Sequence, residues 1–339
     1  MSIDGKALFV GGSDADPCPP SADCAVSAVA PLRDGAVFDP GPRRWKRIAD
    51  APVGFSFAES VVVGGTAYLL VPGEPGRPGA PAAFLRYRSA DDRWDRLARP
   101  PDAQRRGLVA TDEQVVAYAN TDEGGQIPDV VFDPSIGEWT RLPDDPLPKS
   151  FDRSLAWDGR ELVLFAQELV PQPGSREPSV VIAAAFDPDR GTWRRLPDSE
   201  ILGSGARWFA HAGRLIFPAL GSADGGEVGN WGRPYPNGGI LDVDEGRWLP
   251  LPDPPGGENE FGAGVVAGEQ ADVFGETGWI LDAVKEDWIP VPPLHGDDVM
   301  VTGDSVTAAG RDMIVFGGVR WRDGAQAELL AAAWIYSVP

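Results

Sequence analysis

Residues 180–196 read VVIAAAFDPDRGTWRRL, an apolar run followed by a turn and a second short run. Phe186 ends the apolar run, and Trp193 follows it by seven residues, across a turn rich in Asp, Pro and Gly. The same spacing occurs six times along the chain, at Phe38/Trp45, Tyr87/Trp94, Phe132/Trp139, Phe186/Trp193, Leu241/Trp248 and Leu281/Trp288. A unit that recurs roughly every 40 to 55 residues predicts stacked copies of one structural module.

The fourth unit predicts four antiparallel strands. Residues 153–157 and 161–165 are two short runs separated by Asp-Gly at 158–159, a two-residue hairpin signal. Residues 180–186 predict a third strand after a long polar stretch, and residues 193–196 predict a fourth. The other units repeat this order, so each unit predicts a four-stranded meander sheet.

The composition favours an all-β fold over disorder. The chain has 42 Gly and 34 Pro, enough to raise the question of disorder, but it is 42% hydrophobic and has 12 Trp. Glycine and proline are then turn residues between many short strands. Because a closed array of repeats can use this length as one body, residues 1–339 are predicted to form a single domain.

The repeats resemble those of the kelch family. Paired glycines follow an apolar strand at residues 9–12 (FVGG) and 316–318 (FGG), and Phe-Asp-Pro precedes Trp-x-x-Leu-Pro in the clearest units. The resemblance covers nearly the whole chain and implies a kelch-type β-propeller. Three units depart from it, with Tyr87-Arg88-Ser89, Leu241-Asp242-Val243 and Leu281-Asp282-Ala283 in place of Phe-Asp-Pro. The repeated tryptophans are predicted to fasten the blades and not to bind a ligand.

The strand count predicts seven blades, of which the first and last are incomplete. The first unit starts at its second strand, residues 6–10, so its first strand is expected to be missing. Aligning Trp334 with Phe186 places the tryptophan partner of the last unit beyond Pro339. We expect one N-terminal segment outside this sequence to supply both strands. The alternative is six blades, with residues 305–309 completing the first.

The net charge of −21 argues against nucleic acid, whose binding needs a basic surface, and it disfavours anionic membranes. No apolar run approaches the length of a membrane span, so no membrane insertion is predicted. The simplest interpretation of the acidic charge is a surface that keeps the protein in solution as a monomer.

Cys18 and Cys24 are the only cysteines, and their spacing within a proline-rich loop favours a disulfide over two free thiols or a metal site. A disulfide implies an oxidising compartment, whereas the N-terminal residues lack the apolar core of a signal peptide. The localisation therefore stays open. It is extracytoplasmic if an N-terminal segment precedes this sequence, and cytoplasmic otherwise.

Strand direction predicts which face carries function. In a four-stranded meander, the loop from second to third strand and the connection to the next sheet emerge at one end, and the hairpin turns emerge at the other. The long loops are all of the first kind, at residues 72–82, 120–128, 168–179, 221–236 and 319–327. Because rigid scaffolds carry binding on their loops, the long-loop face is the predicted binding face.

The connections between sheets supply the candidate ligand-binding residues at the axial mouth of that face. They carry mixed charge and aromatic groups, which suit a polar ligand or a peptide. The candidates are Arg105, Arg106, Asp152, Arg153, Arg207, Trp208, Asn259, Glu260, His295 and Asp297. The alternative is that these groups cap the ends of inner strands and pair with each other.

Few residues support catalysis. Some kelch propellers resemble galactose oxidase, a copper enzyme, but His211 and His295 are the only histidines, and both cysteines lie in the N-terminal loop. No cofactor is predicted, and no metal, since calcium at Asp14/Asp16 or Asp122/Glu123 lacks a supporting ligand spacing. The acidic pairs Asp297-Asp298 and Asp152/Glu260 are candidates for acid–base chemistry or are solvated loops.

The predicted function is a non-enzymatic binding module whose long-loop face engages a protein, a peptide or a carbohydrate. The alternative is a lyase, hydrolase or isomerase that uses carboxylates and arginine at the axial mouth. Two carboxylates that converge on a pocket beside Arg105, Arg153 or Arg207 would favour the enzyme. A purely structural role is the remaining interpretation.

Overall fold

A computed structural model describes residues 1–20, 22–25, 27–74, 76–101, 106–121, 127–169, 178–203, 208–223, 234–253, 264–267, 270–272, 279–283, 285–290, 300–310, 312–322 and 326–337. These residues contain strands, turns and irregular segments, and no helix among them is long and apolar enough to cross a membrane. Most strands pair antiparallel in four-stranded sheets, as a β-propeller-like fold requires. The prediction of an all-β protein is confirmed.

The strands follow the predicted order. The first three sheets contain β1 (Ser2–Ile3), β2 (Lys6–Val10), β3 (Gly35–Asp39) and β4 (Arg44–Arg47); β5 (Glu59–Val63), β6 (Thr66–Val71), β7 (Ala83–Arg88) and β8 (Arg93–Leu97); and β9 (Arg106–Ala110), β10 (Val115–Ala119), β11 (Val130–Asp133) and β12 (Glu138–Arg141). The fourth and fifth contain β13 (Ser150–Trp157), β14 (Leu162–Glu168), β15 (Val181–Asp187) and β16 (Thr192–Arg195); and β17 (Phe209–His211), β18 (Arg214–Phe217), β21 (Gly239–Asp242) and β22 (Arg247–Leu249). A small extra sheet pairs β19 (Ser222–Ala223) with β20 (Tyr235–Pro236).

The remaining strands are β23 (Gly264–Ala267), β24 (Gln270–Asp272), β25 (Trp279–Asp282), β26 (Asp287–Pro290), β27 (Met300–Ala309), β28 (Asp312–Arg322), β29 (Gln326–Leu329) and β30 (Ala333–Ser337). The sixth sheet departs from a simple meander, because β23 runs parallel to β25. In the last sheet β29 and β30 both pair with β28, at its two ends.

All six apolar–tryptophan pairs lie directly opposite each other across the third and fourth strands. The seven-residue spacing closes a tight hairpin, which puts both side chains on one face of the sheet. Where both members are aromatic, the ring centroids are close, at 5.0 Å for Phe38 and Trp45 and 4.8 Å for Tyr87 and Trp94. The spacing in the sequence therefore predicts the register of these hairpins.

Four of these tryptophans also bond to the preceding sheet. The indole N–H of Trp94 donates to Ala49 O at 2.8 Å, and that of Trp193 to Pro143 O at 2.9 Å. Trp248 and Trp288 donate in the same way to Pro197 O and Pro252 O. Each acceptor lies within three residues after the fourth strand of the preceding sheet. This arrangement supports the structural role predicted for the tryptophans.

The first and last sheets correct two sequence expectations. The first sheet has a first strand, because Ser2 and Ile3 pair with Ala7 and Lys6 across the Asp4-Gly5 turn. Both turn residues have positive φ, 49° and 71°, which is the geometry of a tight two-residue hairpin. Two paired residues are too short to show alternation in a sequence, so this strand was missed.

The register of the last sheet differs from the expected alignment. Met313 is the residue after Asp312, which pairs with Ala309 at the turn between β27 and β28, and it lies opposite Tyr336. Ala67 has the same position in the second sheet and lies opposite Tyr87. Tyr336, and not Trp334, therefore corresponds to the aromatic residue of the repeat.

The chain divides into two compact units, residues 1–104, 269–273 and 292–339 in unit 1, and residues 105–268 and 274–291 in unit 2. The core of each unit comes mainly from second and third strands. In unit 2, β14 and β15 are buried on both faces for most of their length, because sheets pack against each of them. Such strands are nearly continuous apolar runs, which is why they stand out in the sequence.

Candidate functional site

The connections from second to third strand emerge at one end of each sheet, and the hairpin turns at the other. We call these the loop end and the hairpin end of the sheets. In unit 1 a long loop joins β2 to β3 at residues 11–34. It is longer than the β6–β7 loop at residues 72–82, and it was not among the long loops predicted. It contains the disulfide Cys18–Cys24, with Cα atoms 5.8 Å apart, so the predicted disulfide is confirmed.

The structure describes four of the ten predicted ligand-binding residues. Asp152 and Arg153 lie in β13, Trp208 directly precedes β17, and Arg106 begins β9, where only its backbone is described. The others, together with Asp298 and the Asp122/Glu123 pair, lie outside the described residues: Arg105, Arg207, Asn259, Glu260, His295 and Asp297. The ligand-binding role of all ten stays a prediction.

A β-bulge in β13 directs Arg153 into the protein. The pairing of β13 with β14 shifts register between Phe151 and Ser154, and Asp152 within the bulge has a positive φ of 47°. Asp152 is exposed, whereas the Arg153 side chain is only 3% exposed. The two neighbouring predicted site residues therefore have opposite environments.

Arg153 is bonded to three segments at the loop end of unit 2. Its Nε donates to Ala119 O at 3.1 Å, at the end of β10, and its NH1 group donates to Ser150 Oγ at 3.2 Å. Its NH2 group contacts Asp129 Oδ2 at 3.4 Å and Asp145 Oδ2 at 3.0 Å. Arg153 therefore joins the loop before β11, the connection before β13 and the end of β10. We call this group the Arg153 clamp.

The two carboxylates of the Arg153 clamp use all four of their oxygens within the protein. Besides the contacts to Arg153, Asp129 Oδ1 accepts from the backbone N–H of Ala119 at 2.7 Å. Asp145 Oδ1 accepts from the backbone N–H of Leu147 at 2.9 Å. Buried charges are tolerated when they are paired and hydrogen-bonded in this way. The arrangement holds loops together and leaves no carboxylate oxygen without a protein donor.

A cavity of about 230 Å³ opens beside the Arg153 clamp. At its rim, Arg141 pairs with Asp144, and both side chains are exposed. Lys149 is exposed at the rim as well, between the clamp residues Asp145 and Ser150 in the sequence. The rim, more than the buried clamp, is where a ligand can find charged groups.

Trp208 lies in the core of unit 2. Its ring stacks on that of Phe165, with centroids 3.8 Å apart and planes 5° apart, and it also contacts Phe217 and Trp248. It is 8% exposed. A ligand can therefore reach only an edge of this residue.

A second buried arginine, Arg77, joins three segments at the loop end of unit 1. Its guanidinium donates to Val29 O at 2.7 Å and Ser13 Oγ at 2.8 Å in the β2–β3 loop, and to Ser56 Oγ at 2.5 Å before β5. It also pairs with Glu74 Oε2 at 2.6 Å in its own loop. The side chain is 7% exposed. We call this group the Arg77 clamp; no residue in it was among the predicted site residues.

The Arg77 clamp sets the ionisation of Glu74. Burial raises the pKa of Glu74, but hydrogen bonds from Arg77 and Ser56, together with the charge of Arg77, outweigh burial and lower the pKa below its usual value. Because the folded-state pKa is lowered, ionised Glu74 stabilises the fold above the ordinary glutamate pKa of about 4.3. This contribution is lost as the pH falls through the lower, folded-state pKa.

Replacing Arg77 with methionine is expected to raise the pKa of Glu74 relative to the wild type, because burial remains and the hydrogen bonds and charge of Arg77 are lost, leaving only the Ser56 donors. Carbon-13 NMR of the side-chain carboxyl during a pH titration measures this midpoint. Arg47→Met, which removes an exposed arginine paired with Asp50, should leave the midpoint unchanged. Equal Glu74 midpoints in wild type and Arg77→Met would contradict the clamp.

No protein-family model matches this chain, and no curated protein matches it in sequence. Within the described ranges, no group of three or more His, Cys, Asp or Glu side chains is placed to hold a metal ion. Asp14 and Asp16, the described pair of predicted calcium candidates, therefore lack a third ligand of these types among those residues. The functional argument rests on the geometry of the loop ends.

Proposed function

We propose that this chain is a kelch-type β-propeller that acts as a non-enzymatic binding module through the loop ends of its sheets. The observation that carries the proposal is the pair of buried arginine clamps, one in each unit. Arg77 and Arg153 each hold three chain segments at a loop end, and both side chains are almost fully buried. Loops fixed in advance lose less conformational entropy on binding, so a ligand binds them more tightly.

The finer fold assignment is also proposed. Seven four-stranded sheets among the described residues support seven blades over six. The kelch resemblance rests on the paired glycines and on the tryptophan hairpins, whose register the fold reproduces six times. The first blade is complete in this proposal, since β1 supplies its first strand.

The partner is proposed to be a protein, a peptide or a carbohydrate, bound by a monomer. The loop end of unit 1 exposes apolar side chains and that of unit 2 exposes charged ones, and groups of both kinds recognise such ligands. Phe57 is 62% exposed before β5, and Lys149 lies at the rim of the cavity beside the Arg153 clamp. The net charge of −21 favours partners without large negative charge.

An enzyme of lyase, hydrolase or isomerase type is the second candidate. Asp129 and Asp145 do converge on a pocket beside Arg153, which is the arrangement that favours it. A general acid or base, however, needs a carboxylate oxygen within reach of the substrate. Because protein donors occupy all four oxygens, the binding module is the better supported function.

A thermal-shift screen of peptide and glycan libraries tests the proposal. We expect at least one ligand to raise the melting temperature, and its affinity to fall about tenfold in Lys149→Ala or Phe57→Ser, which is about 1.4 kcal/mol. Glu113→Gln and Asp189→Asn change exposed residues at the hairpin end and should leave the affinity unchanged.

Two results would overturn the binding proposal. In the first, no library member stabilises the protein, or stabilisation depends only on the hairpin-end residues. In the second, the wild type consumes glycoside or ester substrates, and Asp145→Asn abolishes the turnover while remaining folded. The second result would establish the enzyme in its place.

A further inference from the structure

The Arg77 clamp organises an exposed surface at the loop end of unit 1. The β2–β3 loop, the segment before β5 and the β6–β7 loop meet at one guanidinium. Gly79 packs against Ala30, and Gly54 lies so close to the carbonyl of Pro31 that no side chain fits there. We define the Arg77 surface as six exposed or partly exposed side chains of the three segments that meet at this junction: Asp14, Asp16, Asp23, Val29, Phe57 and Glu74.

The centre of the Arg77 surface is apolar. Val29 is 47% exposed and Phe57 is 62% exposed, although most phenylalanines and valines among the described residues are buried or half-buried. Arg77 bonds both to Val29 O and to Ser56 Oγ, and Ser56 precedes Phe57, so one guanidinium holds the two chain segments that carry these apolar side chains. Apolar side chains held in this way on a rigid loop junction are typical of a contact site.

A cavity of about 530 Å³ adjoins the same junction. It is lined by backbone and small side chains of the β6–β7 loop, including Pro72, Ala80 and Pro81, together with Glu74 and Arg77. Its size and largely apolar walls suit one side chain or a short extended segment. The cavity gives the surface a concave part next to Glu74 and Arg77.

The edge of the Arg77 surface is acidic. Asp14, Asp16 and Asp23 are exposed on the disulfide-bearing loop, and the sequence has no lysine or arginine between Lys6 and Arg33. Arg77 itself is buried and bonded to four protein acceptors, so its charge is already paired within the protein. A ligand therefore meets negative charge around an apolar centre.

We propose that the Arg77 surface binds an extended, lysine- or arginine-rich segment of a partner protein that places an apolar side chain against Val29 and Phe57. The inference rests on the proposed binding function and assigns it a position and a ligand class. Charge attraction to the aspartates accelerates encounter, and the apolar contact fixes the position of the segment. The disulfide and the Arg77 clamp hold the loops in place before binding, which reduces the entropy lost.

A synthetic peptide tests this inference. The probe is a fluorescein-labelled nonapeptide of lysine and glycine with one central phenylalanine, and fluorescence anisotropy measures its affinity. We expect Phe57→Ser to weaken binding about tenfold, as does replacing the peptide's phenylalanine with serine. Because Phe57 is mostly exposed, Phe57→Ser should melt at the wild-type temperature.

Matched charge variants separate a specific site from general attraction to an acidic protein. Asp14→Asn/Asp16→Asn/Asp23→Asn and Glu113→Gln/Glu138→Gln/Asp189→Asn each remove the same number of exposed carboxylates. Only the first variant should weaken binding, about tenfold, and it should reduce the dependence of affinity on salt. Equal losses in both variants, or wild-type affinity in Phe57→Ser, would overturn the inference.

The outcome is distinguishable from failure of the binding function as a whole. If the affinity of the peptide is unchanged by substitutions in the Arg77 surface, but the affinity of a library ligand falls in Lys149→Ala in unit 2, the proposed binding function stands and this inference fails. If the peptide depends on Phe57 and the three aspartates, both stand. A peptide whose lysines are replaced with glutamate should not bind in any case.

Discussion

Arg153→Ala is expected to lower the free energy of unfolding by about 3–5 kcal/mol, a large part of the stability of an ordinary domain. The substitution leaves the buried Asp129 and the partly buried Asp145 without their shared cation. It also leaves Ala119 O and Ser150 Oγ without the donor that satisfies them. Uncompensated buried carboxylates, more than the lost attraction, account for the size of the effect.

Denaturant unfolding of three variants tests this expectation. Arg141→Ala removes an exposed arginine that pairs with Asp144, and it should cost less than about 1 kcal/mol. Arg153→Ala/Asp129→Asn should be more stable than Arg153→Ala alone, because one unpaired charge is then gone. A loss in Arg153→Ala no larger than that in Arg141→Ala would show that the clamp does not stabilise unit 2.

The result also determines how binding is tested. A variant that unfolds the loop end loses any ligand, so Arg153→Ala cannot show whether Arg153 contacts a ligand. Lys149 and Arg141 lie at the rim of the cavity and are exposed. Substitutions at these two residues report on ligand contact without removing the clamp.

Trp208→Ala is expected to lower the free energy of unfolding by about 3–5 kcal/mol. The indole stacks on Phe165 and lies against Phe217 and Trp248, so its removal leaves a cavity lined by three aromatic rings. These rings belong to β14, β18 and β22, and they cannot all move to fill the space.

Calorimetry of Trp208→Ala, Trp208→Phe and Trp193→Ala checks this expectation. Trp208→Phe keeps a ring against Phe165 and should lose less than half as much stability. Trp193 is partly exposed and opposes Phe186 at the hairpin end, so Trp193→Ala should also lose less. Equal losses in Trp208→Ala and Trp193→Ala would contradict the central position of Trp208.

The sequence predicts the local part of the fold well. The hairpin between each third and fourth strand depends on eight consecutive residues, such as 186–193, and Phe186 and Trp193 lie opposite each other as the spacing requires. The same holds for the Asp158-Gly159 turn, which separates β13 from β14. These features are visible because turn residues and apolar alternation act over a few positions.

Features that depend on distant residues were harder to predict. The alignment of Trp334 with the repeat was wrong because β30 contains consecutive apolar residues, and pairing with Met313 decides which one fills the position. Strand β1 was missed because two residues carry no periodic signal. In both cases the partner strand supplies information that the segment itself lacks.

The candidate site was predicted only in part. Arg153 was named, but three of its four acceptors lie 8 to 34 residues away in the sequence, so its burial does not follow from the local sequence. Arg77 was not named, although it is the one basic residue in the sequence of residues 72–82, a loop rich in proline and glycine. An isolated cation in such a loop is a usable sign of a clamp, because an arginine fork can satisfy several loop acceptors at once.

The indole bonds to the preceding sheet have a consequence for how unit 2 unfolds. Trp193, Trp248 and Trp288 each tie the outer hairpin of one sheet to the chain leaving the sheet before it. Each of these sheets is therefore bonded to the one before it, and part of its stability comes from the contact with that neighbouring sheet. As in linear repeat proteins, such coupling makes unfolding cooperative over neighbouring modules, so that damage to one sheet weakens the adjacent sheet before any other.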